Sequence, residues 1–94
     1  MNSDEFEWDE RKAADNVRKH GVSFEVARYV FDDRAAIEEP DNREDYGEDR
    51  FNVIGMVRGR LLFVTYTIRE TKYRLISARR AMPHEKKHYH EENR

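Results

Sequence analysis

Ninety-four residues without a cysteine allow one domain and exclude both disulfides and thiolate metal sites. Charged residues make up 40% and hydrophobic ones 37%, so the core must be small; the apolar residues nonetheless cluster (26–31, 51–57, 61–68), which argues against disorder, and no run approaches the roughly 20 residues of a membrane span. The net charge of −2 hides a split, with 8 Lys or Arg against 16 Asp or Glu in residues 1–50 (net −8) and 10 against 4 in residues 51–94 (net +6), a pattern that suits a polyanion on one surface and a basic partner on another.

The first five residues are acidic and lack the basic stretch of a secretory signal, so a cytoplasmic location is expected. Phe6 and Trp8 alternate with acidic neighbours and read as a short strand. Asp9 is a natural N-cap for a helix through Arg18 or Lys19, which Gly21 stops. Ser23 caps a second helix that places Phe24, Ala27, Val30 and Phe31 at helical spacing. Residues 32–49 form a polar middle, with a short strand about Ala35–Glu38 that Pro40 breaks, then a loop through Asn42, Glu44, Tyr46 and Gly47. Strands Phe51–Val57 and Leu61–Ile68 flank a tight hairpin at Arg58-Gly59-Arg60. A third, Lys72–Ala78, follows a short turn; strict alternation puts Tyr73, Leu75 and Ser77 on one side and Lys72, Arg74, Ile76 and Ala78 on the other. Pro83 suits the first turn of a last helix, His84 to about Glu92. The expected order is β-α-α-β-β-β-β-α, an α+β domain with a mainly antiparallel sheet.

The third of these strands ends on two adjacent guanidiniums, Arg79 and Arg80. Successive strand side chains point to opposite faces, so one should lie over the exposed sheet surface and the other near its edge. A planar cation with five donors suits phosphate oxygens, and it equally suits a helix carboxylate.

Taken together, Phe6-Glu7-Trp8-Asp9, Lys12, Asn16, Lys19-His20-Gly21-Val22-Ser23-Phe24-Glu25, Ala27, Val30-Phe31-Asp32, Arg50-Phe51, Gly55, Tyr66-Thr67 and Ile76-Ser77-Ala78-Arg79-Arg80-Ala81, followed by a charged final helix, resemble the BrnT toxin family over nearly the whole chain. The resemblance implies a RelE/ParE-like fold and a ribonuclease toxin of a type II toxin–antitoxin pair. It also implies a BrnA-like ribbon-helix-helix antitoxin that neutralises the toxin and, within the complex, represses its own operon; operator DNA would then be contacted only through that complex. A homodimer within the complex is left open.

Metal-free RNA cleavage needs a base near the ribose 2′-hydroxyl, an acid near the leaving 5′-oxygen and cations around the phosphorane. Arg79 and Arg80 are the cations expected here, and His20 is the acid–base candidate because its ordinary pKa lies near neutrality; Tyr66 and Glu70 are weaker alternatives. Arg74, six residues before Arg80, is expected on the same strand face and, with Arg69, Lys72 and Tyr66, to bind neighbouring parts of the RNA. Arg58 and Arg60 read first as solvated turn residues. Asn16 and Lys19 can serve simply to hold the first helix to the sheet.

His84-Glu85-Lys86-Lys87-His88 formally matches the H-E-x-x-H zinc pattern, but a zinc hydrolase needs a third protein ligand and a buried helix, and this one is polar nearly all round. No catalytic metal and no cofactor are therefore expected, and adventitious metal binding by His84 and His88 is left open. The competing reading is a non-catalytic module, or a decayed toxin, that acts by binding its partner and modulating the partner's hold on DNA.

Overall fold

The computed structural model describes residues 5–94. A five-stranded mixed sheet runs in the order β1-β5-β4-β3-β2, with β1 at Phe6–Glu7, β2 at Ile37–Pro40, β3 at Arg50–Val57, β4 at Arg60–Arg69 and β5 at Lys72–Arg80. Only β1 against β5 is parallel; the other pairs are antiparallel. Helices α1 (Glu10–His20) and α2 (Phe24–Ala27) cover one face, here the inner face, and α3 (Pro83–Glu92) lies against the outer face.

The first helix starts where Asp9 Oδ1 accepts from the backbone N–H groups of Arg11 (2.8 Å) and Lys12 (3.3 Å). It ends at Gly21, whose φ of 69° is open to glycine at little cost. Asn16 is its single buried residue. The Asn16 amide donates to the carbonyls of Val22 (2.8 Å) and Ala78 (2.7 Å), and its oxygen accepts from the Ala78 N–H (3.0 Å). One side chain thus fastens α1, the following turn and β5.

The second helix is shorter than its apolar spacing suggests. After Ala27 the chain tightens into a 3-10 helix over Arg28–Asp32, which presses Val30 onto the sheet at Gly55. Gly55 has no alternative there, because a Cβ would collide with the Val30 side chain. Asp33 then ties three elements together: it accepts from the Ala35 N–H (2.9 Å), the Met56 N–H (2.7 Å) and the Tyr89 hydroxyl (2.7 Å). Strand β2 begins opposite Ile54, so the carboxylate supplies the acceptor that a longer β2 would have given Met56. The observed β2 is displaced toward Pro40 relative to the expected Ala35–Glu38, because residues 33–36 make this turn.

Two cores result. The inner one holds Phe6, Phe24, Ala27, Val30, Val53, Val64, Tyr66, Leu75 and Ala78; the outer one, beneath α3, holds Ile54, Leu61, Ala81 and Tyr89 with Phe63 packed alongside. Leu75 and Ala78 both belong to the inner core although they stand three positions apart. The register explains it: Thr65 pairs with Ser77 and Tyr66 with Leu75, so Ile76 is an extra, bulged residue in β5. The strict alternation expected for this strand fails at that residue, and every face assignment before it is reversed relative to those after it.

Asn16→Ala should cost about 2–3 kcal/mol of stability, since it leaves the Ala78 N–H and two carbonyls without partners in the interior. Urea unfolding of the folded variant measures it; a loss below roughly 0.5 kcal/mol, the ordinary scatter of surface substitutions, would show that water replaces the amide.

Candidate nucleic-acid interface

On the outer face, below α3, β3, β4 and β5 present polar side chains in register. Asn52, Thr65 and Ser77 form one row, Arg50, Thr67 and Arg74 the next, and Arg69 with Lys72 the last. Phe63 and Arg79 pair above them. The Thr65 hydroxyl donates to Asn52 Oδ1 (2.7 Å) and the Thr67 hydroxyl to the Asp49 carbonyl (2.6 Å), so the floor is internally hydrogen-bonded.

Because of the bulge, Arg74 and Arg79 share this face, about 13 Å apart at ~3.3 Å per residue of the partner strand. The expectation that Arg74 shares a face with Arg80 is thereby overturned: Arg80 pairs with Leu62 on the other side of the strand. Arg69 and Lys72 do join Arg74. The structure therefore brings Arg69, Lys72, Arg74 and Arg79 together and sets Arg80 apart.

Three of those four cations are held by carboxylates. Arg79 makes a two-pronged pair with Glu85 of α3 (2.8 and 2.8 Å), donates to the Arg80 carbonyl (3.1 Å) and lies 4.3 Å from the Phe63 ring centre. Arg74 donates to Glu7 (2.9 Å), and Arg69 reaches Glu48 (3.4 Å), which also lies 3.8 Å from Arg50. The Arg50 guanidinium sits over Tyr46, 4.1 Å from its ring centre, and among the described residues its buried Nε has no acceptor. Lys72 is exposed. Burial alone would raise the Glu85 carboxyl, but Arg79 and the Met82 N–H outweigh it and hold it below the usual range.

Two candidates fall outside this surface. Tyr66 is 2% exposed in an aromatic cluster with Phe31, Phe51 and Tyr73, and its hydroxyl donates to Glu38 (2.7 Å). Burial first, then that bond, raises its pKa above the ordinary phenol value. It is a core residue and offers no ring to RNA. His20 ends α1, which packs on the inner face through Asn16, so the structure does not bring it to Arg79. Trp8, Phe31 and Tyr89 pack against or within the cores, as their apolar character suggests.

The helix motif resolves differently from a zinc site. Glu85 is engaged by Arg79, His88 Nε2 lies 2.8 Å from Glu39 Oε1, and His84 is exposed. Among the described residues no group of three or more His, Asp or Glu could hold a metal. His88 stands three residues from Glu85, hence on the same helix flank at ~5–6 Å between Cβ atoms. It is an imidazole beside the polar face that sequence reasoning met only as a metal ligand. Arg50, Asn52 and Ser77 were also missed, although polar residues alternating with Phe51 and Val53 signal a second, solvated strand face.

A family model described as the ribonuclease toxin BrnT of type II toxin–antitoxin systems matches residues 8–85. No protein of curated function matches the sequence.

Glu85→Gln should lower stability by about 2 kcal/mol near pH 7, less than for a fully buried pair because Arg79 is partly exposed. The Glu85 carboxyl is depressed in the folded chain, so its contribution is complete above the unfolded value near 4.5 and disappears as pH falls through the lower folded value. Unfolding curves of the two proteins should differ at neutral pH and converge in acid; a constant gap would place the stabilisation elsewhere.

Proposed function

The chain belongs to the BrnT family of ribonuclease toxins of type II toxin–antitoxin systems, and on that premise we propose that it is a metal-independent endoribonuclease acting through the outer sheet face. The observation that carries the reading is the shared face of Arg74 and Arg79, with Arg69 and Lys72 beyond them. A strand of RNA laid along β5 meets Arg79 at one phosphate and the other cations at its neighbours. In the cleavage step the ribose 2′-oxygen attacks phosphorus, the bond to the 5′-oxygen breaks, and the Arg79 guanidinium stabilises the charge that gathers on the phosphorane. His88, oriented by Glu39, takes the 2′-hydroxyl proton, and the leaving oxygen is protonated from solvent. Glu85 positions Arg79. The element order and the antiparallel centre of the sheet support a RelE/ParE-like reading of the fold.

The consequence for the cell is arrest of translation in the cytoplasm, where the substrate is. Among the described residues no helix is long and apolar enough to cross a membrane. The partner in this reading is a BrnA-like ribbon-helix-helix antitoxin; the acidic excess of residues 1–50 suits a basic chain. Operator DNA is reached only through that antitoxin, whose own pairing would bring two toxins into one complex. One observation favours the alternative of a non-catalytic partner-binding module: each paired arginine of the face already has a carboxylate, so its charge is answered within the chain.

Purified protein should cleave RNA equally well with and without chelator. Arg79→Ala should lower the rate by roughly 10²–10³, the usual worth of one positioned oxyanion donor, and abolish growth arrest; Arg79→Lys should restore little, because a point charge cannot replace the fork. Undiminished cleavage by both folded variants would remove Arg79 from the site, and a wild-type chain inert on RNA that still alters its antitoxin's operator affinity would establish the module.

A further inference from the structure

At the end of the sheet, beyond α3 from the polar face, Arg60, Arg80, Lys86 and His90 line an open pocket of about 200 Å³ whose apolar part is Met56 and Leu61. No carboxylate among the described residues lines it. Among the described residues, the charged groups of Arg60, Arg80 and Lys86 enter no ion pair and no side-chain hydrogen bond, in contrast to Arg69, Arg74 and Arg79, which all have carboxylate partners. The cations come from separate parts of the chain: Arg60 from the start of β4, Arg80 from the end of β5, and Lys86 from α3. Like charges gathered without a counter-ion repel one another, and an entering anion reverses that cost.

We propose that this pocket is a phosphate subsite for the RNA backbone, one that takes a phosphodiester next to the cleaved one. The proposal rests on the ribonuclease reading for the identity of its ligand. Arg80 directly follows Arg79, so a strand whose scissile phosphate lies at Arg79 is led by the end of β5 toward Arg60 and Lys86. Arg80 thus serves as a binding cation, and a phosphate here need displace no carboxylate.

The test is the salt dependence of binding to a short 2′-O-methyl oligoribonucleotide, which cannot be cleaved through its 2′-oxygen, followed by fluorescence anisotropy. Each phosphate contact on a single strand contributes ~0.7 to the slope of log K against log salt. Arg60→Gln with Lys86→Gln should reduce the slope by about 0.7, the share of one phosphate, and weaken low-salt binding roughly tenfold. Arg11→Gln with Lys12→Gln, an equal loss of exposed charge on α1, should leave both nearly unchanged, and Lys86→Arg should bind as the wild type does. Equal slopes for wild type and pocket variant, or equal losses in the pocket and α1 variants, overturn the subsite. Cleavage of unmodified RNA in parallel separates the two readings. A wild type that binds through the pocket without cleaving ends the ribonuclease reading and keeps the pocket; one that cleaves, with a pocket variant of unchanged binding, ends the pocket alone.

Discussion

A single extra residue in β5 decides which side chains meet. Without the bulge at Ile76, Leu75 and Ala78 would point to opposite sides of the sheet, and so would Arg74 and Arg79. With it, both small or apolar residues enter the inner core and both guanidiniums stand over the outer face. Asn16 holds the strand just after the irregularity, bonding the N–H and the carbonyl of Ala78 together. The chemistry of one face and the packing of the other are thus consequences of one register shift.

The arginines of the outer face are presented in a fixed state. Glu85 orients Arg79 from α3, Phe63 supports it from β4, and Glu85 also caps the helix through the Met82 N–H (2.7 Å). Such an arrangement lowers the entropy lost when a phosphate arrives, at the expense of a field weakened by the adjacent carboxylate. The end pocket shows the opposite balance, with unneutralised charge on long side chains. Orientation in one place and attraction in the other are complementary ways of handling a polyanion.

Much of the architecture was legible because its signals are local. Asp9, Gly21 and Ser23 mark their helix boundaries by cap chemistry, and Arg58-Gly59 marks the hairpin. What was not legible depends on distant pairing. Neither composition nor spacing distinguishes a bulged strand from a regular one, so Arg74 and Ala78, expected on one face, lie on opposite ones. The 3-10 helix after Ala27 follows from Val30 meeting Gly55, a contact between residues far apart in the chain. Tyr66 carries the same side chain whether it stacks on a base or on Phe51, and only its burial separates the two. Of the proposed site, the sequence singles out Arg79; its grip by Glu85 and the pairing of His88 with Glu39 required the fold.

The two margins of the sheet have a bearing on how the chain meets other proteins. At one margin β2 is four residues long, carries Glu38 and Glu39, and terminates in Pro40, which lacks an N–H; at the other β1 contributes two residues. Among the described residues these two terminal strands themselves offer few free amides and carbonyls to a foreign strand. Association through them is then written in side chains, residue against residue, and a surface substitution can retune the choice of partner without touching the backbone ladder.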